Sequence, residues 1–288
     1  MSLPEQSASS ANPARRQFML RDGLCLGGAI AVAIAAILIG PQVAAMLPIE
    51  SPIALNAVFY GAIFGPMAIM ALAGGWLTGS LPSAGSRPLR WAMISFAGGA
   101  AGLIVAALYT WLAGSAVSGE GVLLQPGAFV AGILIITGQV AAEELFFRGW
   151  MQPLVARYTG PLVALAIVAM VFAGFHIIGG ARAPLSCLNL VLGGIWFGLL
   201  GWRSGGLTAP VAAHFGWNVT EQLVLGLDPN PGIGDFGSLL NWDLTGLAYW
   251  GGTEEGLNAS MAMTFVLAAL IVPLILSKQR RGAVPATI

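Results

Sequence analysis

Charge is the scarcest feature of this chain. Of its 288 residues only 8% are charged, against 57% that are hydrophobic, where an average soluble domain carries roughly 25% charged residues. Twenty-four charges cannot cover the surface of a soluble protein this size. Together with a mean hydropathy of +0.83, this excludes a soluble globule, a disordered chain and a basic-patch nucleic-acid binder. Cysteine is nearly absent. Cys25 and Cys187 both lie in apolar runs, where they read as small hydrophobes and not as a disulfide framework or a metal cluster. Regular alternation of apolar and polar residues is missing as well, which argues against an outer-membrane barrel. The remaining class is all-α: a polytopic bundle of membrane-spanning helices.

A hydrocarbon core takes about 20 apolar helical residues to cross. Eight apolar stretches meet that need, at about 23–40, 54–78, 91–114, 127–148, 160–177, 185–202, 207–226 and 258–277. A polar tail, 1–22, precedes the bundle of 23–277, and a basic tail, 278–288, follows it. Arg15 and Arg16 ahead of the first run look a little like an export signal, but a basic anchor suits a chain with seven further runs. Residues 227–257 form one long connection with Pro229 and Pro231, a length expected of a lid or a mobile segment.

If every stretch crosses, Arg15, Arg16, Arg21, Arg87, Arg90, Arg148, Arg157, Arg203, Lys278, Arg280 and Arg281 fall on one side. The other side receives only Arg182, with Glu50, Glu120, Asp228, Asp235, Asp243, Glu254 and Glu255. The positive-inside rule then puts both termini in the cytoplasm and the acidic connection outside.

Ionisable residues inside a span cost about 2.5–3.5 kcal/mol on insertion scales and are functional candidates for that reason. Three clusters stand out. In Glu143-Glu144-Leu145-Phe146-Phe147-Arg148, Glu144 and Arg148 share a helix face and can pair. Glu143 is turned about 100° away, so the adjacent carboxylates meet different environments, which suits acid–base work. The second cluster is Phe172-Ala173-Gly174-Phe175-His176. In the third, His214-Phe215-Gly216-Trp217-Asn218, His214 and Asn218 point to one face, with Glu221 a further turn along and Gln222 beside it, in the site or at its mouth. Each cluster has a plain structural reading as an ion-paired helix end or as interhelical glue. The chain's two histidines both fall in these clusters.

Glu-Glu-x-x-x-Arg, Phe-x-x-x-His and His-x-x-x-Asn, in this order on three spans, resemble the CAAX prenyl protease 2 / bacteriocin-processing family of intramembrane proteases (CPBP or ABI). The resemblance covers about 127–226. It implies an intramembrane endopeptidase acting on a membrane-associated protein or peptide. It implies Glu143 as the base that activates water, His176 as the group orienting that water, and His214 and Asn218 as oxyanion donors. Glu144, Arg148 and Phe172 would then be supporting. The family is described both as metal-free and as a metalloprotease. In the second case His176, His214 and Glu143 would hold zinc, without the His-Glu-x-x-His spacing. The residues leave two further readings open: a non-catalytic membrane immunity or scaffold protein, and an ion-coupled transporter. No Gly-x-Ser-x-Gly elbow occurs, and the aspartates lie outside the apolar runs. The expected surroundings are membrane lipid and a peptide substrate, with no nucleic acid, in a membrane that the compact loops suggest is a bacterial inner membrane.

One site also requires Glu143, His176 and His214 to lie level. The stretch 127–148 alone would leave Glu143 at a helix end. A fourth span running on toward Arg157 removes that difficulty.

Overall fold

The computed structural model describes residues 13–119, 124–227, 236–253 and 255–277. Glu120, Asp228, Asp235, Glu254, Lys278, Arg280 and Arg281 therefore lie outside the described residues. The chain is an all-α bundle. Its helices are α1 (Pro13–Met46), α2 (Pro52–Thr78), α3 (Pro88–Leu112), α4 (Pro126–Glu144), α5 (Gln152–Thr159), α6 (Pro161–Gly179), α7 (Pro184–Ser204), α8 (Thr208–Val219) and α9 (Met261–Leu276). A π-helical turn, Leu145–Met151, joins α4 to α5, so that Pro126–Thr159 is one rod of 34 residues. A second π turn, Thr220–Leu225, extends α8. Among the described residues, six rods are long and apolar enough to cross a membrane: Met19–Met46, Pro52–Thr78, Pro88–Leu112, Pro126–Thr159, Pro161–Gly179 and Pro184–Ser204. α9 is apolar but shorter.

Local sequence explains where the helices start and stop. Proline opens α2, α3, α4, α6 and α7, since its missing N–H is not needed in a first turn and its φ is already helical. Gly79 ends α2 and Gly205 ends α7 in the left-handed region, at φ 63° and 74°, which a side chain would disfavour. α1 begins at Pro13, well before the apolar run at 23. Arg21 and Asp22 thus sit within a helix, and Asp22 is buried against Arg21 and the Tyr158 hydroxyl.

Glycines let the helices approach closely, as in other membrane bundles. α3 crosses α8 at Gly99 and Gly216. A Cβ at Gly99 would run into the Ala213 carbonyl, and one at Gly216 would lie 2.6 Å from the Phe96 carbonyl oxygen. Gly194 brings α7 onto Ala169 of α6 in the same way. Gly74 of α2 makes room for the Trp150 indole, whose Nε1 donates to Thr78 Oγ1 at 3.1 Å. The outer faces carry exposed Leu24, Trp76, Leu134, Leu162, Met170 and Leu276, a dispersed apolar surface suited to lipid and not to water.

The two ends of the bundle differ. At one end Arg157 donates to the Thr78 and Gly79 carbonyls, both at 2.7 Å, Arg203 reaches the Ile275 carbonyl, and Tyr158 meets Asp22. At the other end the described part of the long connection is packed down. β1 (Ala116–Ser118) pairs antiparallel with β2 (Trp242–Leu244), and Phe236 is buried against Gly132 and Leu223. Glu255 accepts from the backbone N–H of both Arg182 and Ala183 at 2.7 Å, closing the start of α7. The described part of the connection is a fitted cap.

Candidate active site

The rod Pro126–Thr159 delivers the paired glutamates to the bundle interior. It runs past Trp150 to Thr159, so Glu143 stands in mid-rod, as the levelling argument requires. The π turn begins directly after Glu144. Such turns insert a residue into the helical repeat and re-aim the side chains beyond it. Here the turn buries Phe146, Phe147, Arg148 and Trp150 together.

Glu144 is fully buried and holds two partners on one oxygen. Its Oε1 accepts from Arg148 Nη1 at 3.1 Å and meets His214 Nδ1 at 2.8 Å. Arg148, with its side chain 1% exposed, also donates from Nη2 to the Gly194 carbonyl at 3.0 Å. Its guanidinium lies 4.6 Å from the centre of the Phe172 ring and 5.4 Å from that of Phe197, close enough for cation–π attraction. The buried charge is thus compensated by a carboxylate, a carbonyl and two ring faces. The i, i+4 pairing of Glu144 and Arg148 is as the sequence predicts. The bond from Glu144 to His214, on another helix, is not visible in it.

That bond orients His214. A carboxylate accepts, so Nδ1 carries the proton and Nε2 faces the other way. Phe197 stacks on the imidazole at 4.6 Å with 18° between the planes. Nε2 lies 3.7 Å from Glu143 Oε2, too long for a hydrogen bond and short enough for one small group to touch both. Glu143 is 4% exposed, and its Oε2 has no hydrogen-bond partner among the described residues. The adjacent glutamates do meet different environments: Oε1 of Glu144 holds both Arg148 and His214 while its Oε2 has no partner among the described residues, and Glu143 makes no hydrogen bond among them.

His176 is oriented by its own helix. Its Nδ1 is 2.9 Å from the Phe172 carbonyl oxygen. A carbonyl can only accept, so Nδ1 donates, and in the neutral ring Nε2 is the acceptor. Phe172 packs against it at 4.5 Å between ring centres. Phe172 therefore touches both His176 and Arg148.

Two cavities meet at these groups. One of about 360 Å³ lies among α1, α2, the α4–α5 rod and α6, and it is lined by Tyr60, Phe64, Met67, Glu143, Phe175 and His176. The other, of about 90 Å³, is more polar and is lined by His176, Asn189, His214, Asn218, Glu221 and Gln222. Gln139 and His176 belong to both walls. His214 and Asn218 share a face, as their spacing predicts, and Glu221 and Gln222 are buried in the site and not at its mouth. The spacing rules single out neither Tyr60, Gln139, Asn189 nor Phe197. Gln139 and Asn189 did carry a signal, as polar residues inside apolar runs, with Gln139 one turn before Glu143. Tyr60 and Phe197 carried none.

Among the described residues, no three His, Cys, Asp or Glu side chains are grouped to hold a metal ion. His214 Nδ1 is held by Glu144 and His176 Nδ1 by a carbonyl. These bonds fix each ring and leave its Nε2 available to a water, a substrate oxygen or a metal, and Nε2 of His214 lies 3.7 Å from Glu143 Oε2.

Residues 125–220 match the family model described as Rce1-like, type II CAAX prenyl endopeptidase. No curated protein and no solved structure matches the chain. The matched segment contains every residue of the three motifs: Glu143, Glu144, Arg148, Phe172, His176, His214 and Asn218.

Proposed function

We propose that the chain is an intramembrane endopeptidase that hydrolyses a peptide bond of a membrane-associated protein or peptide by a glutamate-activated water. The observation that carries the reading is the gap between Glu143 Oε2 and His214 Nε2, 3.7 Å, with Glu143 unengaged and His214 held from behind by Glu144. A water or a carbonyl oxygen can sit between a base and a donor only if neither is already spent on the other.

Each step then has a group to perform it. Glu143 takes a proton from water as the water attacks the scissile carbonyl, and His176 accepts the water's other hydrogen through Nε2, which fixes its approach. The developing oxyanion takes hydrogen bonds from the Asn218 amide and, when the His214 ring carries both protons, from its Nε2–H, while Nδ1–H donates to Glu144. Glu143 passes its proton to the leaving nitrogen. The enclosed surroundings strengthen each of these contacts, because water does not compete for them. The larger cavity ends at Glu143 and His176 and is mostly apolar, which suits an apolar stretch of substrate entering from the lipid side. The gathering of Arg157 and Arg203 at one end of the bundle supports an orientation with both termini cytoplasmic, and a bacterial inner membrane is the setting inferred from the short loops.

The test compares membranes from cells making the wild type or Glu143→Gln at equal levels, by mass spectrometry of peptide termini. New termini made only by the wild type establish the protease and name its substrate. No difference between two folded, abundant forms refutes proteolysis and moves the reading to an immunity or transport role. Extensive dialysis of the purified protein against a chelator leaves the cleavage intact on the glutamate reading. Loss of activity that zinc restores would refute it.

A further inference from the structure

The smaller cavity has an imbalance that peptide hydrolysis does not use. Three buried oxygens, Oε1 of Gln139, Glu221 and Gln222, have no donor among the described residues. All three residues line this one cavity, beside Asn218. Gln139 comes from α4, and Glu221 and Gln222 come from the π turn after α8, where the wider repeat brings two adjacent side chains to one cavity. Glu221 is 3% exposed and forms no ion pair among the described residues. The other buried carboxylates, Asp22, Glu143 and Glu144, each have an arginine or histidine beside them.

Unpaired acceptors around a buried carboxyl group are unfavourable until a donor enters. The Gln139 and Gln222 amides can turn their oxygens to a donor, and the buried Glu221 carboxyl group, without an ion pair among the described residues, sets the charge of the complementary ligand as positive. An alkylammonium group brings three N–H donors and that charge. A hydroxyl or amide would leave the carboxylate without a counter-charge. The cavity, about 90 Å³, has the volume of about three waters, room for an ammonium and its last methylenes. Asn218 and Glu221 are three residues apart, about 4.5 Å along the helix axis, or a little over one residue of extended peptide.

We propose that this cavity is an ammonium subsite, in which Glu221, with Gln139 and Gln222, receives the alkylammonium group of a substrate next to the bond held by His214 and Asn218. The group is a lysine side chain or the free amino terminus of a peptide. The inference rests on the reading of this cleft as a peptide site, but its test does not need turnover.

Ligand-observed NMR on the full chain in nanodiscs compares three small probes: acetyl-lysine methylamide, norleucine methylamide and acetyl-norleucine methylamide. The first carries a side-chain ammonium, the second an α-ammonium and the third neither. At least one cationic probe is expected to bind about tenfold more tightly than the neutral one, a difference of about 1.4 kcal/mol. Glu221→Gln is expected to abolish that difference. Preference for the first probe identifies a lysine side chain, and preference for the second identifies a peptide amino terminus. Equal binding of all three by the wild type overturns the proposal without recourse to any variant. A preference that survives intact in folded Glu221→Gln also overturns it. If the preference holds while no peptide is cleaved under any condition, the proteolytic reading fails and the ammonium subsite stands.

Discussion

Glu143 and Glu144 are neighbours in sequence with opposite roles in the geometry, and isosteric substitution of each separates those roles. Glu144→Gln removes the charge facing Arg148 and His214, both buried. Breaking a buried ion pair by removing one partner costs about 3–5 kcal/mol, because the other charge is stranded. Arg148 keeps the Gly194 carbonyl at 3.0 Å and the Phe172 ring at 4.6 Å, so the loss is expected at the lower end, about 3 kcal/mol. Activity falls too, by about 10²–10³-fold, since the His214 donor loses the carboxylate that orients the ring and stabilises its doubly protonated form. Glu143→Gln behaves differently. Glu143 makes no hydrogen bond among the described residues, and its nearest ionic contact is 3.7 Å away. The substitution breaks no hydrogen bond among the described residues and is expected to destabilise the chain clearly less than Glu144→Gln, while removing the base, a loss of about 10²–10⁴-fold in rate. Reversible unfolding in mixed micelles measures the first quantity, and cleavage of a substrate found by terminus mapping measures the second. Equal destabilisation by the two variants, or a stable Glu144→Gln, would refute this division of labour.

Gly216→Ala puts a Cβ 2.6 Å from the Phe96 carbonyl oxygen and is expected to cost about 1–3 kcal/mol as α3 and α8 move apart. Gly28→Ala, with open space around it, is the matched control in the same unfolding assay and is expected to be neutral or slightly stabilising. Phe197→Leu removes the ring stacked on His214 at 4.6 Å and should lower the turnover number by about tenfold with a smaller change in KM, because ring orientation matters most in the transition state. Glu255→Ala strips two 2.7 Å hydrogen bonds from the start of α7. Faster amide exchange at Arg182 and Ala183 and in β2 is expected, with global stability lowered by about 1–2 kcal/mol. Unchanged exchange would show that the cap is held by other contacts.

The bundle was legible because the membrane solvent leaves few alternatives. A chain with so little charge has to place its apolar runs in lipid as helices, since an unpaired backbone is too costly there, and proline marked most helix starts. The ends were less legible. The two π turns leave no trace in hydrophobic periodicity, so the continuation of the fourth span through Arg157 rested only on the need to level Glu143 with the histidines. In the site, contacts within one helix could be read from spacing: Glu144 with Arg148, and His214 with Asn218. Contacts between helices could not, because spacing says nothing about which faces meet. The sequence therefore paired Glu144 with Arg148 alone, whereas in the folded chain its Oε1 is shared between Arg148 and His214. That shared oxygen changes the chemistry expected of the site. With Nδ1 committed to Glu144, His214 can donate to an oxyanion only when Nε2 is protonated as well, so the second glutamate of the motif decides what the histidine facing the first can do. On the proposed mechanism Glu144 is a positioning residue acting through His214, and Arg148, buried beneath Phe172 and Phe197, is the partner that holds its carboxylate.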